Sequence, residues 1–98
     1  MPSAYLIVDT KIHDTLKYEE YKKLAKPIIE SYGGEYIVRG GELYIDQSDL
    51  WAPTRFVIIK FNSMKKAKEF LSSKVYEPVK SMRLDAAHST TLLVEGLN

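Results

Sequence analysis

The 98-residue chain has no cysteine, one tryptophan and only two histidines. Without cysteine there is no disulfide framework, no thiolate nucleophile and no cysteine metal site, and a reducing compartment suits such a chain. Long hydrophobic runs are missing too: stretches such as Phe56 to Ile59 have the length of strands, against the roughly 20 residues needed to span a bilayer. No membrane partner is expected. Neither sign of charge dominates, since 14 basic and 13 acidic side chains leave a net +1. No large field therefore draws in a polyanion, and nucleic acid is not an expected partner. Met1-Pro2-Ser3 leads straight into strand-like sequence with no secretory-signal pattern, so the expected location is cytoplasmic.

Catalytic signatures are equally scarce. His13 and His88 are the only imidazoles available for acid–base or metal chemistry, and both flank predicted elements where a solvated role is the simpler reading. No His-x-x-x-His or Glu-x-x-His spacing occurs, so no metal is expected. No Gly-x-Ser-x-Gly turn presents a nucleophile. Gly40-Gly41 precedes no helix, which makes it a bulge or bend rather than a phosphate cradle, and no cofactor is expected.

What is present is an ordinary globular composition, 45% apolar and 28% charged, enough for one domain over residues 1–98. Ala4 to Ile12 reads as a strand with Ala4, Leu6, Val8 and Ile12 on one face and Tyr5, Ile7, Asp9 and Lys11 on the other. Asp14 is a good N-cap, and the helix after it carries Tyr21, Leu24, Ala25, Ile28 and Tyr32 as a buried stripe. Pro27 is expected to bend or divide that helix, and Gly33-Gly34 to end it. Tyr36 to Arg39 is a second strand, with Glu42 to Ile45 as its extension beyond the glycines. A polar loop over 46–54 precedes a third strand, Arg55 to Phe61. Ser63 caps a helix with Met64, Ala67, Phe70 and Leu71 inward. A further helix over 75–84 places Tyr76, Val79 and Arg83 on one side, and Thr90 to Glu95 closes the series.

The order β-α-β-β-α-β predicts a ferredoxin-like α+β fold, an antiparallel sheet with spatial order four, one, three, two and helices on one face. Alternation places Leu6, Val8, Tyr36, Val38, Val57, Ile59, Phe61, Leu92 and Val94 under the helices. The other face then carries Tyr5, Ile7, Ile37, Phe56, Ile58 and Leu93 with Asp9, Arg39, Lys60 and Glu95. Six large hydrophobes there call for a cover, and a two-fold homodimer through the sheet face is the commonest solution. Its four charges balance, as a partly buried paired network requires.

Ala4-Tyr5-Leu6-Ile7-Val8, Pro27-Ile28-Ile29-Glu30-Ser31-Tyr32-Gly33-Gly34, Tyr36-Ile37-Val38-Arg39-Gly40-Gly41, Phe61-Asn62-Ser63-Met64 with Ala67, then Tyr76, Arg83 and Val94-Glu95-Gly96 carry a resemblance. In this order the chain resembles the domain of unknown function 1330 family of the dimeric α/β-barrel superfamily. The resemblance implies a ferredoxin-like homodimer forming a shared barrel, and implies no established activity. Trp51 looks like the tryptophan this family carries before its third strand. The family commonly has a glycine just before it, where this chain reads Asp49-Leu50-Trp51-Ala52-Pro53.

The candidate ligand-binding residues are Arg39, Trp51, Tyr76, Arg83 and Asp9. An arginine ending a barrel-lining strand can hold a carboxylate or phosphate in two-pronged fashion, or it can serve as an ion-pair partner of Asp9 or Glu95. Arg83 and Tyr76, seven residues apart on one helix side, either face the same cavity or fasten the helix. Trp51 is either a lid or a buried dimer-edge residue, while Tyr18, Tyr21 and Tyr32 fit helix packing. Ferredoxin-like sheets also read RNA, yet Arg55 to Phe61 lacks the glycine of that signature. The function expected is a homodimer with a pocket between sheet and helices for a small anionic or aromatic molecule, working as a cofactor-independent oxygenase or isomerase. The competing reading is a non-catalytic structural or ligand-binding dimer with its charges internally paired.

Overall fold

In the computed structural model, which describes all 98 residues, the elements run β1 (Ala4–Ile12), α1 (Thr15–Ser31), β2 (Glu35–Arg39), β3 (Phe56–Phe61), α2 (Met64–Leu71), α3 (Glu77–Ala86) and β4 (Ala87–Glu95). The sheet is antiparallel with order β2-β3-β1-β4, the ferredoxin-like arrangement anticipated from the element order. No helix is long and apolar enough to cross a membrane.

Local chemistry explains the boundaries. The Asp14 carboxylate accepts the Lys17 N–H at 3.1 Å, satisfying a donor that the first helical turn leaves free. At the other end Gly33 takes φ +80°, and the Gly34 and Gly33 N–H groups donate to the Ile29 and Glu30 carbonyls at 2.9 and 3.0 Å. This paired closure needs a left-handed residue, which glycine supplies without a Cβ clash. Between these ends α1 runs undivided through Pro27, because neighbouring turns and the packed inner face hold it across the missing donor. Ser63 caps α2 through the Lys66 N–H at 3.2 Å.

The core joins the sheet to the helices through aromatics. Phe61 of β3 stacks on Phe70 of α2 with centroids 5.6 Å apart, and Phe70 meets Tyr76 at 4.3 Å. All three are buried, and full burial of such a ring stabilises by about 1.5–3 kcal/mol. The buried stripe of α1 is Tyr18, Tyr21, Ala25 and Ile29, with Ile28 and Tyr32 partly buried against it. Leu24, expected inside, is 49% exposed. Spacing of three and four residues fits two overlapping stripes on this helix, and the one carrying the phenols won.

Two strands differ from the alternation reading in a way that matters for the site. Tyr36 pairs with Ile59, but Val38 pairs with Ile58 and Arg39 with Val57, so Ile37 is an extra residue in β2. This bulge exchanges the faces of everything after it. Val38 joins Ile58 on the open face, and Arg39 joins the buried Val57 on the helix side. Likewise Leu93 pairs with Leu6, and Leu92 and Val94 with Ile7 and Tyr5. Leu93 therefore faces the helices while its two neighbours face outward. Leu92-Leu93-Val94 is apolar throughout and fits either register, so only pairing with β1 decides.

The expected four-charge network on the open face is thus not formed. Asp9 and Lys60 lie there, whereas Arg39 and Glu95, the latter paired with Ala4, lie on the helix side. The chain bends at Gly40, whose φ is +71°, and residues 41–45 form no strand. The expected extension is absent because nothing pairs with it.

Candidate functional site

Between the sheet and the helices lies a pocket whose rim and floor come from four elements. From β2 it takes Tyr36 and Arg39, and Arg55 at the entry to β3 joins them. Tyr18, Tyr21 and Lys22 come from α1, and Arg83 comes from α3 with Tyr76 just before it. The rest of the lining is aliphatic or aromatic apart from Thr91. No aspartate, glutamate or histidine lines it.

Arg83 is the residue that demands explanation. It is only 4% exposed, and no carboxylate pairs with it. All four ion pairs in the molecule use lysine and lie on helix surfaces. Burial by itself would lower its pKa, but the phenols of Tyr76 and Tyr21 more than offset this and raise it. Those phenols are themselves joined, Oη to Oη at 2.8 Å. Burial first, and then Tyr76, push the Tyr21 pKa far above that of a free tyrosine. The floor of the pocket is therefore a fixed guanidinium, a hydrogen-bond donor on every edge, beside a pair of phenols bonded to each other.

At the mouth, each arginine rests on a tyrosine face. The Arg39 guanidinium carbon lies 4.5 Å from the Tyr36 ring centroid, and that of Arg55 lies 5.6 Å from Tyr18. Such stacking holds a guanidinium in place while leaving its N–H edge for a planar anion. Burial pushes the Tyr36 phenol up to about 12, although Arg39 pulls the other way. The cleft encloses about 480 Å³ with its mouth included, but the free space inside is about 30 Å³, close to the volume of one water. A ligand larger than a water needs side chains of the lining to move apart.

Of the residues anticipated from sequence, Arg39, Tyr76 and Arg83 meet in this pocket. Within one protomer Arg39 forms no ion pair with Asp9 or Glu95. Asp9 and Trp51 lie elsewhere. Asp9 is 6% exposed and accepts the Trp51 indole N–H at 2.8 Å and the Thr54 and Arg55 backbone N–H groups at 2.8 and 3.0 Å. Trp51 is 41% exposed and lines surface grooves away from the helix-side pocket. Asp9 anchors the loop before β3, and through Arg55 it sets one edge of the pocket.

Sequence reasoning missed Tyr18, Tyr21, Tyr36 and Arg55 as pocket residues. The tyrosine stripe of α1 was visible but explained by packing, and Arg55 carried no signal before its loop was placed. His13 and His88 are both exposed, with ring centroids 5.4 Å apart. No three His, Cys, Asp or Glu side chains converge where they could hold a metal ion.

Solved structures share this fold. A protein of unknown function from Rhodopseudomonas palustris superposes with TM-score 0.76 at 17% identity, covering 99% of this chain and 84% of the other. A dimeric ferredoxin-like protein of unknown function from Jannaschia gives 0.72 at 8% identity, covering 96% and 99%. A cofactor-independent oxygenase from Streptomyces nogalater gives 0.67 at 11% identity, covering 100% and 96%. At such identities the likeness shows the fold alone. No curated protein matches the chain. The family model described as a domain of unknown function (DUF1330) matches residues 3–97, and the chain belongs to that family.

Proposed function

We propose that this chain is a cytoplasmic homodimer, one domain per protomer, that holds a small molecule with an anionic group and an apolar or aromatic body between sheet and helices. The observation that carries this reading is Arg83, buried at the floor of a pocket that no acidic side chain lines. Phenols rather than a carboxylate hold this guanidinium, so its charge is left for an anionic ligand to neutralise. Arg39 and Tyr76 complete the binding set, and Asp9 with Trp51 supports it from the loop.

The dimer rests on the apolar open face and on the dimeric neighbour from Jannaschia. An oxygenase role finds a parallel in the Streptomyces nogalater neighbour. The lining, however, offers donors and no carboxylate or imidazole base. That favours binding, or chemistry on a substrate that supplies its own anion, over an isomerase working by proton abstraction. The test is thermal stability in the presence of benzoate, because a ligand selective for the folded state raises the melting temperature. A rise in the wild type that is lost in Arg83→Met supports the reading. No rise at saturating benzoate and other aromatic acids removes it.

A further inference from the structure

The pocket carries more positive charge than one anionic group can neutralise, and it carries it at two levels. Arg83 is nearly fully buried beside the Tyr21–Tyr76 pair. Arg39 and Arg55 belong to the mouth, where Arg39 is exposed and Arg55 is half-buried. Lys22 also lines the cleft, but its ammonium is taken by Glu19 at 3.3 Å.

Both mouth arginines line the same cleft. A Cβ at Gly40 would stand 2.8 Å from both Nε and Nη2 of Arg55, so the Arg55 guanidinium lies over the backbone next to Arg39. Each side chain is braced by its own tyrosine, Arg39 on Tyr36 and Arg55 on Tyr18. Two like charges at one mouth that no carboxylate lines repel each other, and an anion between them turns that repulsion into charge-assisted contacts. Between mouth and floor the walls are apolar, with Val8, Ile59, Phe70 and Leu71 among them.

We propose that the ligand is a dianion: one acidic group against Arg83, an apolar body along the walls, and a second acidic group between Arg39 and Arg55. This rests on the reading of the cleft as a ligand site and goes beyond it by fixing the ligand's charge and the placement of its two poles. The bulge at Ile37 is what makes the second pole, because without it Arg39 would share the open face with Phe56.

The experiment is titration calorimetry at low ionic strength with terephthalate against its monomethyl ester, which keeps the body and removes one charge. Linear four-, six- and eight-carbon diacids are run alongside, each against its half-ester. At least one diacid is expected to bind about tenfold or more tighter than its half-ester. In the Arg39→Gln/Arg55→Gln double variant that preference is expected to fall below about twofold. Both substitutions lie at the mouth, so the core stays intact, and circular dichroism checks this. Equal affinity for every diacid and its half-ester overturns the dianion and leaves the single-anion pocket standing. A preference that survives in the double variant also overturns it. No binding by any of these probes removes the dianion and the pocket reading together.

Discussion

The indole N–H of Trp51 donates to Asp9 Oδ2 at 2.8 Å across 42 residues of chain, and the other Asp9 oxygen accepts from the two residues that lead into β3. One carboxylate on the open face thus fixes the loop whose last residue, Arg55, reaches the opposite side of the sheet.

Asp9→Asn is therefore expected to loosen the loop. The amide turns one acceptor into a donor facing donors, which leaves a buried N–H unsatisfied at a cost of about 1–3 kcal/mol. Urea denaturation of the two proteins at neutral pH measures the difference. Burial alone would raise the Asp9 pKa, but the hydrogen bonds from Thr54, Arg55 and Trp51 outweigh it and hold the carboxyl below its ordinary 3.8. A lowered acid contributes stability that is fully present above 3.8 and lost as pH falls through the folded value. The gap between wild type and Asp9→Asn is thus expected to shrink in acid. Trp51, the sole tryptophan, reports the same event by fluorescence. An acid-independent gap would mean that the carboxylate charge is not what binds the loop.

The phenol pair makes a prediction at the other end of the pH scale. Removing the Tyr76 hydroxyl leaves the buried Tyr21 hydroxyl without its 2.8 Å partner, so Tyr76→Phe is expected to cost about 1–2 kcal/mol. Tyr36 is pushed up to about 12 and Tyr21 is also raised, so the folded state keeps these protons after an unfolded chain would lose them. Their contribution is complete below the ordinary 10.0 and falls as pH rises toward the folded values. Absorbance titration of the phenolates is expected to leave part of the tyrosine signal untitrated at pH about 11 until the protein unfolds. Complete titration at a common value near 10 would show the pair to be solvent-accessible.

Gly40→Ala tests the mouth. Its φ of +71° disfavours any side chain, and the new methyl would stand 2.8 Å from the Arg55 guanidinium. The left-handed conformation costs about 1–2 kcal/mol, and Arg55 must move because it, unlike the backbone, can give way. Thermal denaturation reads the first effect, and weaker binding of any pocket ligand reads the second. Lost stability with unchanged affinity would exclude Arg55 from the binding set.

Much of this was legible in the chain. Element order, both side-chain caps and the Gly33 stop are local events written in adjacent residues, so the fold followed from them. Arg39, Tyr76 and Arg83 all line the pocket, although strict alternation along β2 puts Arg39 on the wrong face. A bulge is decided by two strands together, and Ile37-Val38 offers no local sign of which residue is extra. The register of Leu92-Leu93-Val94 was hidden for the same reason, since three consecutive hydrophobes carry no alternation. Arg55 and the Asp9 anchor depend on a loop that residues 41–54 cross without regular structure, and no periodicity reports such a path.

Tyr5 and Ile7 of β1, Val38 of β2, Ile58 of β3, and Leu92 and Val94 of β4 share the open face by their pairings. Tyr5, Ile7 and Ile58 are half-buried already, and the three on the outer strands are exposed. A contiguous apolar sheet face of this kind is a place for a second copy, and a stable dimer needs about 1,200–2,000 Å² of buried surface. The wild type is expected to sediment as a dimer at micromolar concentration. Ile58→Asp places a charge at the centre of that face and, by two-fold symmetry, a second one on the facing copy, where neither has a partner. Because Ile58 points away from the helices, the substitution leaves the core of each protomer untouched. The variant is therefore expected to sediment as a folded monomer with an unchanged circular dichroism spectrum. A wild-type monomer at tens of micromolar, or an Ile58→Asp variant that remains dimeric, would mean that this face is not where two copies meet.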